Sequence, residues 1–511
     1  MIKGWARPDS NWGPSPRQRD VIATRLRAQL VGKGKSLKYK FFDSQPQNLD
    51  LDSKALYKNK TPVFLRPLSN QSDIKMNKSK LEEIKKIIDE VKREIDIKVD
   101  TSVLDEVVNL LKEEVKKKQL KVEVFIGGSF AKQTFLGNDF DCDIFLRFDM
   151  SYREESLSDL SEELLKQFKP VRVHGSRDYF NFEYKNVLFE VVPVYLIQDP
   201  SQAKNTTDVS PFHVLWFNKK KEKNPDLPLE VKVTKVFLKA QKLYGAESYI
   251  NGFSGHVVDI LVSHYGSFLN LIKNASKWTF PVIIDTEKHY KNLNPIFFLN
   301  KDKIKNEVIV IDPIIKERNA ASALSKENTI KFIKICKRFL EQPSKDFFEI
   351  KFLDLNSAKE RIGENPGVIF QLTPLDEKSK DVAGTKMFKA FEFVKEQLEI
   401  NEFKVLDSFF DWNKKDDAFC YLIFDKKPLS KEKIILGPPD KKEFHKNILN
   451  FKSKYNDKVF LEDGRYFAKV TRRYTNPFEL IDDLVKNERF LTKVKDFKVY
   501  KINKQVIEDE A

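Results

Sequence analysis

A chain of 511 residues is long enough for about three domains. With 41% apolar residues, 33% charged residues and 42 phenylalanines it can bury a sizeable core, which excludes global disorder. Its three scattered cysteines (Cys142, Cys336 and Cys420) exclude a disulfide framework and a zinc site and point to a reducing compartment. There is no apolar run of about 18 residues to span a membrane, and the N-terminus lacks the apolar core of a secretory signal. The expectation is a soluble, cytoplasmic protein with no membrane partner.

The net charge of +15 is unevenly spread. Residues 1–75 hold 15 basic and 6 acidic side chains, +9 of the total, together with 6 of the 22 prolines and no sustained helical or strand period. Three readings stand for this basic leader. It is an arm for nucleic acid, or an Arg-rich transit segment whose amphipathic pattern Asp9, Asp20 and the prolines spoil, or translated tRNA-gene sequence. The last rests on Asp9-Ser10-Asn11, which can be encoded by the complement of a T-arm sequence, and on the stretch 7–28. The leader is expected to be disordered or a misassigned start, with Met76 the next methionine.

From Met76 onward the pattern is regular. Leu81, Ile84, Ile87, Ile88, Val91 and Ile95 recur at three- and four-residue spacing, which predicts an amphipathic helix; a second follows over about 103–119. A short β-branched strand over 122–126 ends in Gly127-Gly128-Ser129, and a helix is expected over 130–136 before a turn at 137–139. Strands are predicted over 141–148 and about 187–195. Residues 209–280 read mostly as helices with a break at 253–255. Beyond 345 the pattern changes to strands over 348–355 and 368–372, a helix near 386–398 and a strand over 418–424. The fold class is α+β multidomain: a mixed-sheet head (76–208), a helical central domain (209–335) and an α+β C-terminal body and tail (336–511) behind the leader (1–75).

The chemistry is concentrated in the head. Side chains alternate along a strand, so Asp141 and Asp143 share one face while Cys142 points to the other. Two carboxylates a few ångströms apart repel each other unless a cation lies between them, and hard oxygen ligands suit Mg²⁺. Glu190 heads an apolar strand, where a charge needs a reason, and is the natural third carboxylate. Before them, strand–Gly-Gly-Ser–helix lets backbone approach a phosphate and offers helix N–H groups. Taken alone, Asp-x-Asp is more often a solvated turn. Gly128-Ser129 followed after eleven residues by Asp-x-Asp, in these strand contexts, resembles the DNA polymerase beta nucleotidyltransferase superfamily.

A closer resemblance is to the archaeal (class I) CCA-adding enzymes. It is carried by Gly128-Ser-Phe-Ala-Lys-Gln-Thr-Phe-Leu-Gly137, Asp141-Cys-Asp-Ile-Phe145, Val191-Val-Pro-Val-Tyr195, Ser210-Pro-Phe-His213, Lys235 with Lys239, and Tyr244-Gly-Ala-Glu247. Gly252-Phe-Ser-Gly255, Tyr265-Gly-Ser-Phe268, Ile311-Asp-Pro313 with Glu317-Arg-Asn-Ala320, Phe419-Cys-Tyr-Leu422 and Gly464-Arg-Tyr-Phe-Ala468 extend it to near the C-terminus. The resemblance implies a tRNA nucleotidyltransferase that adds C, C and A from CTP and ATP without a nucleic-acid template. It also implies two Mg²⁺ ions on Asp141, Asp143 and Glu190, the last where the family usually has Asp. ATP/CTP contacts are implied at Gly128, Ser129, Lys132 (usually Arg), His213, Lys235 and Tyr244, with Arg318 reading the base edge. Each has a bland alternative: a satisfied structural histidine, a solvated lysine, helix-end packing for Tyr244, a surface salt bridge for Arg318. The C-terminal part should grip the tRNA acceptor stem and elbow, with Lys469-Val-Thr-Arg-Arg-Tyr474 either contacting phosphate or guarding an exposed strand edge. A homodimer is implied by the family alone. The rivals are a poly(A) polymerase or oligoadenylate synthetase-like transferase, using ATP alone, and a non-catalytic tRNA-binding relative, which the intact acidic triad opposes.

Overall fold

The computed structural model describes residues 77–503 apart from 98–99, 138–140, 292, 306 and 378. The expectations for the leader and for Met76 fall outside the described residues.

The head is a five-stranded sheet of order β1-β2-β5-β4-β3, built from β1 (Val122–Ile126), β2 (Asp141–Phe148), β3 (Val171–Val173), β4 (Tyr179–Tyr184) and β5 (Val187–Tyr195). Only β2 and β5 run parallel within it. Cys142, Ile144, Leu146 and Phe148 alternate along β2 to one face, where they are buried against Leu104, Val107, Leu111, Leu157 and Leu164. The opposite face is left for the polar residues of β2. Helix α1 (Lys78–Ile95) forms as predicted, and its Ile84, Ile88 and Val91 join the apolar core of the central helices. Helix α2 (Ser102–Lys117) lies on the head sheet, as does α4 (Glu154–Leu165), with the one-turn α3 (Gly128–Ala131) between β1 and β2.

The central helices are α5 (Ser210–Lys223), α6 (Leu227–Ala240), α7 (Gly255–Tyr265), α8 (Phe268–Ala275) and α9 (Lys326–Glu341), with the parallel pair β6 (Val282–Ile284) and β7 (Val308–Val310) between α8 and α9. Phe237, Phe268, Phe339 and Phe348 cluster at their centre, with Phe237 and Phe268 at 5.2 Å between ring centroids. The C-terminal part begins with α10 (Leu355–Ile362). Its four-stranded sheet, of order β14-β8-β10-β9, uses β8 (Gly367–Thr373), β9 (Val405–Asp411), β10 (Ala418–Phe424) and β14 (Asp496–Ile502). Helices α11 (Lys380–Ile400) and α13 (Pro477–Leu484) bury Met387, Phe391 and Ile481 on it. A three-stranded sheet of β11 (Glu432–Pro439), β12 (Val459–Glu462) and β13 (Arg465–Thr471) carries α12 (His445–Tyr455). Among the described residues, no helix is long and apolar enough to cross a membrane.

Two expectations are corrected. The helix over 130–136 is a single turn: Gln133 takes a left-handed φ of 61° and the Thr134 N–H closes on the Ser129 carbonyl at 2.8 Å. The strand over 348–355 does not form. Phe348 ends a 3₁₀ turn and packs 5.5 Å from the Phe237 ring, and Asp354 caps α10. The strand-edge reading of the run from Lys469 agrees with the pairing: Lys469 pairs with Ile434 of β11, whereas the β12 partners of β13 end at Ala468, which leaves that side of the strand open from Lys469 onward. The basic side chains of that run are paired: Lys469 with Glu432 at 2.7 Å, Arg472 with Glu402 at 2.5 Å and Arg473 with Asp483 at 3.3 Å.

Candidate active site

The parallel pairing of β2 and β5 puts Asp143 directly opposite Glu190, and strand alternation puts Asp141 on the same face. Three carboxylates therefore converge from two adjacent strands. Burial, and next the Asp141 charge, push the Asp143 carboxyl up to about 6. Burial, with the charges of Asp143, Asp141 and then Asp381, pushes Glu190 up to about 7. Carboxylates coupled in this way, all hard oxygen donors, suit a divalent cation.

The Gly-Gly-Ser turn has a more local task than the sequence suggested. Gly128 adopts φ +56°, and a Cβ there would lie 1.4 Å from Oδ2 of Asp143. The Ser129 N–H donates to the Asp143 carboxylate, and the Gly127 N–H donates to the Asp143 carbonyl at 2.8 Å. The turn thus holds the second carboxylate in place, spending a donor that the sequence alone left free for phosphate.

Facing the acids is a basic wall from α6. Lys235 is buried, and its Nζ donates to the Thr134 carbonyl at 2.8 Å and to its hydroxyl at 3.1 Å. Burial lowers this ammonium to about 8. Burial also raises the Tyr244 phenol, which stays protonated at neutral pH. A cleft of about 210 Å³ lies between the two walls, lined by Ser129, Asp141, Asp143, Lys235, Lys239 and Tyr244 among others. Lys132 is not a free phosphate hand in this state: it is buried, pairs with Asp259 of α7 and lies 6.0 Å from the Phe217 ring.

His213 and Arg318 meet on a residue that the sequence did not single out as a site residue. Asp312, fully buried, accepts from His213 Nε2 at 3.0 Å, His256 Nε2 at 3.2 Å and Arg318 at 3.1 Å. It also accepts from the backbone N–H groups of Ile314 and Ile315. Burial alone would raise this carboxyl, but the hydrogen bonds from the two imidazoles hold it well below the ordinary carboxylate range. Burial lowers His256 to about 4, so it is neutral at pH 7. His256 and Asp259 were both missed. The available signal was a histidine and an aspartate at i and i+3 on α7, whose next residues Ile260, Leu261 and Val262 are all buried.

A carboxylate wall facing a lysine wall suits a metal-bound polyphosphate, and comparison with known proteins names the family. Residues 104–208 match the nucleotidyltransferase domain, residues 229–349 the second domain of tRNA nucleotidyltransferase, and residues 369–504 the C-terminal domain of CCA-adding enzyme. The chain is 33% identical to the CCA-adding enzyme of Nanoarchaeum equitans over 356 residues, 69% of this chain and 85% of that one. The chain belongs to the CCA-adding enzymes. The family's enzyme from Methanocaldococcus jannaschii is 33% identical over 71% of this chain and 81% of its own. That from Archaeoglobus fulgidus is 31% identical over 70% and 80%. The C-terminal match, to a domain described from CCA-adding enzymes themselves, agrees with these relatives. The chain is accordingly an enzyme, a nucleotidyltransferase with the head fold expected from its sequence. Transferases of that fold use divalent metal.

Proposed function

We propose that this enzyme completes and repairs the 3′ end of tRNA, adding C, C and A in order from CTP and ATP without a nucleic-acid template and releasing pyrophosphate at each step. The observation that carries the reading is Glu190 in register beside Asp143, on the face that Asp141 shares. Asp141, Asp143 and Glu190 would hold two Mg²⁺ ions, which when bound acidify the terminal hydroxyl of tRNA and neutralise the triphosphate.

The other steps belong to the chain's own groups. Glu190, opposite Asp143 on the neighbouring strand, accepts the proton of the attacking 3′-hydroxyl. The hydroxyl oxygen bonds to the α-phosphorus, and the bond to the bridging oxygen of the β-phosphate breaks, so pyrophosphate leaves. Gly128, Ser129, Lys235 and Tyr244 cradle the triphosphate, and Lys132 joins them by exchanging Asp259 for a phosphate oxygen. His213 supports the nucleotide and Arg318, whose side chain is 42% exposed, reads the base edge. The division of labour is a catalytic head (76–208), a nucleotide- and tRNA-end-binding middle (209–335) and a C-terminal part (336–511) on the acceptor stem and elbow, in a cytoplasmic homodimer.

Replacing Asp143 by alanine tests the assignment. Nucleotide transfer should disappear while tRNA binding stays nearly intact. Retained transfer would refute the metal assignment.

A further inference from the structure

The cluster on Asp312 is built around a carboxylate with no assigned part in catalysis. Its five donors come from three places: His213 on α5, His256 on α7, and the loop after β7 that supplies Ile314, Ile315 and Arg318. The two imidazole rings lie 4.1 Å apart between centroids, so both reach the carboxylate from one side. Their Nε2 atoms and the carboxylate are close enough to bind a metal ion. However, the carboxylate oxygens already receive five N–H donors, and the Arg318 guanidinium shares the site, which opposes a cation there. The arrangement is a hydrogen-bond hub.

We propose that Asp312 is a positioning residue for nucleotide selection: it anchors one end of the Arg318 guanidinium and fixes His213 and His256 with their Nε2 protons pointing inward, so that Arg318 presents one fixed donor face to the incoming base. This rests on the reading of Arg318 as the base contact. Three features support it. First, Asp312 is fully buried while Arg318 is 42% exposed, so a rigid anchor holds a guanidinium that reaches into open space. Second, the anchor is independent of the base, because Ile314 and Ile315 hold Oδ1 by backbone bonds at 2.9 and 3.1 Å and leave Oδ2 for Arg318 and His256. Third, a guanidinium free to rotate could match the acceptors of several bases, whereas one held at a single angle discriminates among them.

Asp312→Asn is the direct test. The amide oxygen can keep the Ile314 and Ile315 bonds, but the amide nitrogen then faces the Nε2–H of His256 and the Arg318 donor, and Arg318 is released. The measurement is the ratio of kcat/KM for CTP to that for UTP on tRNA lacking its terminal CCA, taken on one preparation so that the active fraction cancels. Asp312→Asn should lower that ratio about tenfold or more, mainly through a rise in the KM for CTP. Arg318→Ala should lower it at least as far. The double variant should match Arg318→Ala to within about twofold, because the carboxylate acts through the arginine. If Asp312→Asn does not fold, Asp312→Glu keeps the charge one methylene out of place, and an intermediate loss of selectivity is expected.

The outcomes separate cleanly. An unchanged ratio in Arg318→Ala overturns the base-reading role itself, and the positioning role with it. A ratio lost in Arg318→Ala but kept in the Asp312 variants overturns the positioning role alone. Multiplicative losses in the double variant do the same, since they show Asp312 acting by another route.

Discussion

Gly128→Ala adds one methyl group and reaches the carboxylates without removing any of them. Gly128 has φ +56°, a conformation that costs an L-residue roughly 1–2 kcal/mol. The new methyl would lie 1.4 Å from Oδ2 and 2.3 Å from Cγ of Asp143, so carboxylate and methyl cannot both stay. Asp143 is held by the Ser129 N–H and by its register with Glu190, so any accommodation moves it relative to the other two acids. A misplacement of about 1 Å at reacting groups costs on the order of 10²-fold in rate. Single-turnover incorporation of labelled CMP into tRNA should therefore fall about 100-fold, with tRNA affinity unchanged. The backbone cost should lower the melting temperature by roughly 2–8 °C. Gly137→Ala is the control: φ there is +57°, but nothing lies within 4 Å of its added Cβ. It should lose comparable stability and keep its rate. Equal rates in the two variants would refute the steric account of the Gly-Gly-Ser turn.

Further outcomes follow from charge and burial. Asp143 and Glu190 are raised to about 6 and about 7, above their unfolded values near 4. Their contribution to the stability of the metal-free protein is therefore full below about pH 4 and is lost as pH rises through 6 and 7. Glu190→Gln should abolish transfer yet raise the melting temperature at pH 8 and not at pH 4; a shift equal at both would contradict the repulsion. By the same titration, Mg²⁺ affinity measured calorimetrically should strengthen from pH 5 to pH 8, and a flat profile would count against the carboxylate site. Asp208 is fully buried, pairs with buried Arg177 and accepts backbone bonds from Tyr195, Lys204 and Asn205, which ties the end of β5 to the segment before α5. Asp208→Ala leaves Arg177 only Glu154 and the Pro193 carbonyl and removes the acceptor of three backbone N–H groups, and should cost about 3–5 kcal/mol in urea unfolding. A loss below about 1 kcal/mol would show the pair to be structurally idle.

The convergence of Asp141, Asp143 and Glu190 was legible because its information is local. Strand alternation put Asp141 and Asp143 on one face, and the apolar run around Glu190 marked a charge needing a reason; only the register that joins them required the fold. The Asp312 hub was illegible for the opposite reason. Its members lie 99 and 56 residues apart in sequence, on two helices and a loop, and no period or spacing marks donors that meet only in three dimensions. Lys132 shows a third case: the sequence announced a cation near the phosphates, but its present partner, Asp259, lies 127 residues away. Among elements, the segment 348–355 was misread because its aromatic start suggested a strand, whereas Phe348 is drawn into the helical core by Phe237 and Phe339. The run from Lys469 was legible as a guarded edge because its charges are dense, but only the fold shows that the same strand is covered on both sides as far as Ala468.

The central claim is tested most directly by incubating tRNA that ends at its discriminator base with the purified enzyme, Mg²⁺, CTP and ATP, and resolving the products at single-nucleotide resolution. The account predicts addition of C, C and A in that order and a stop after the adenosine. It would be contradicted by failure to incorporate CTP, or by an open-ended adenosine tail.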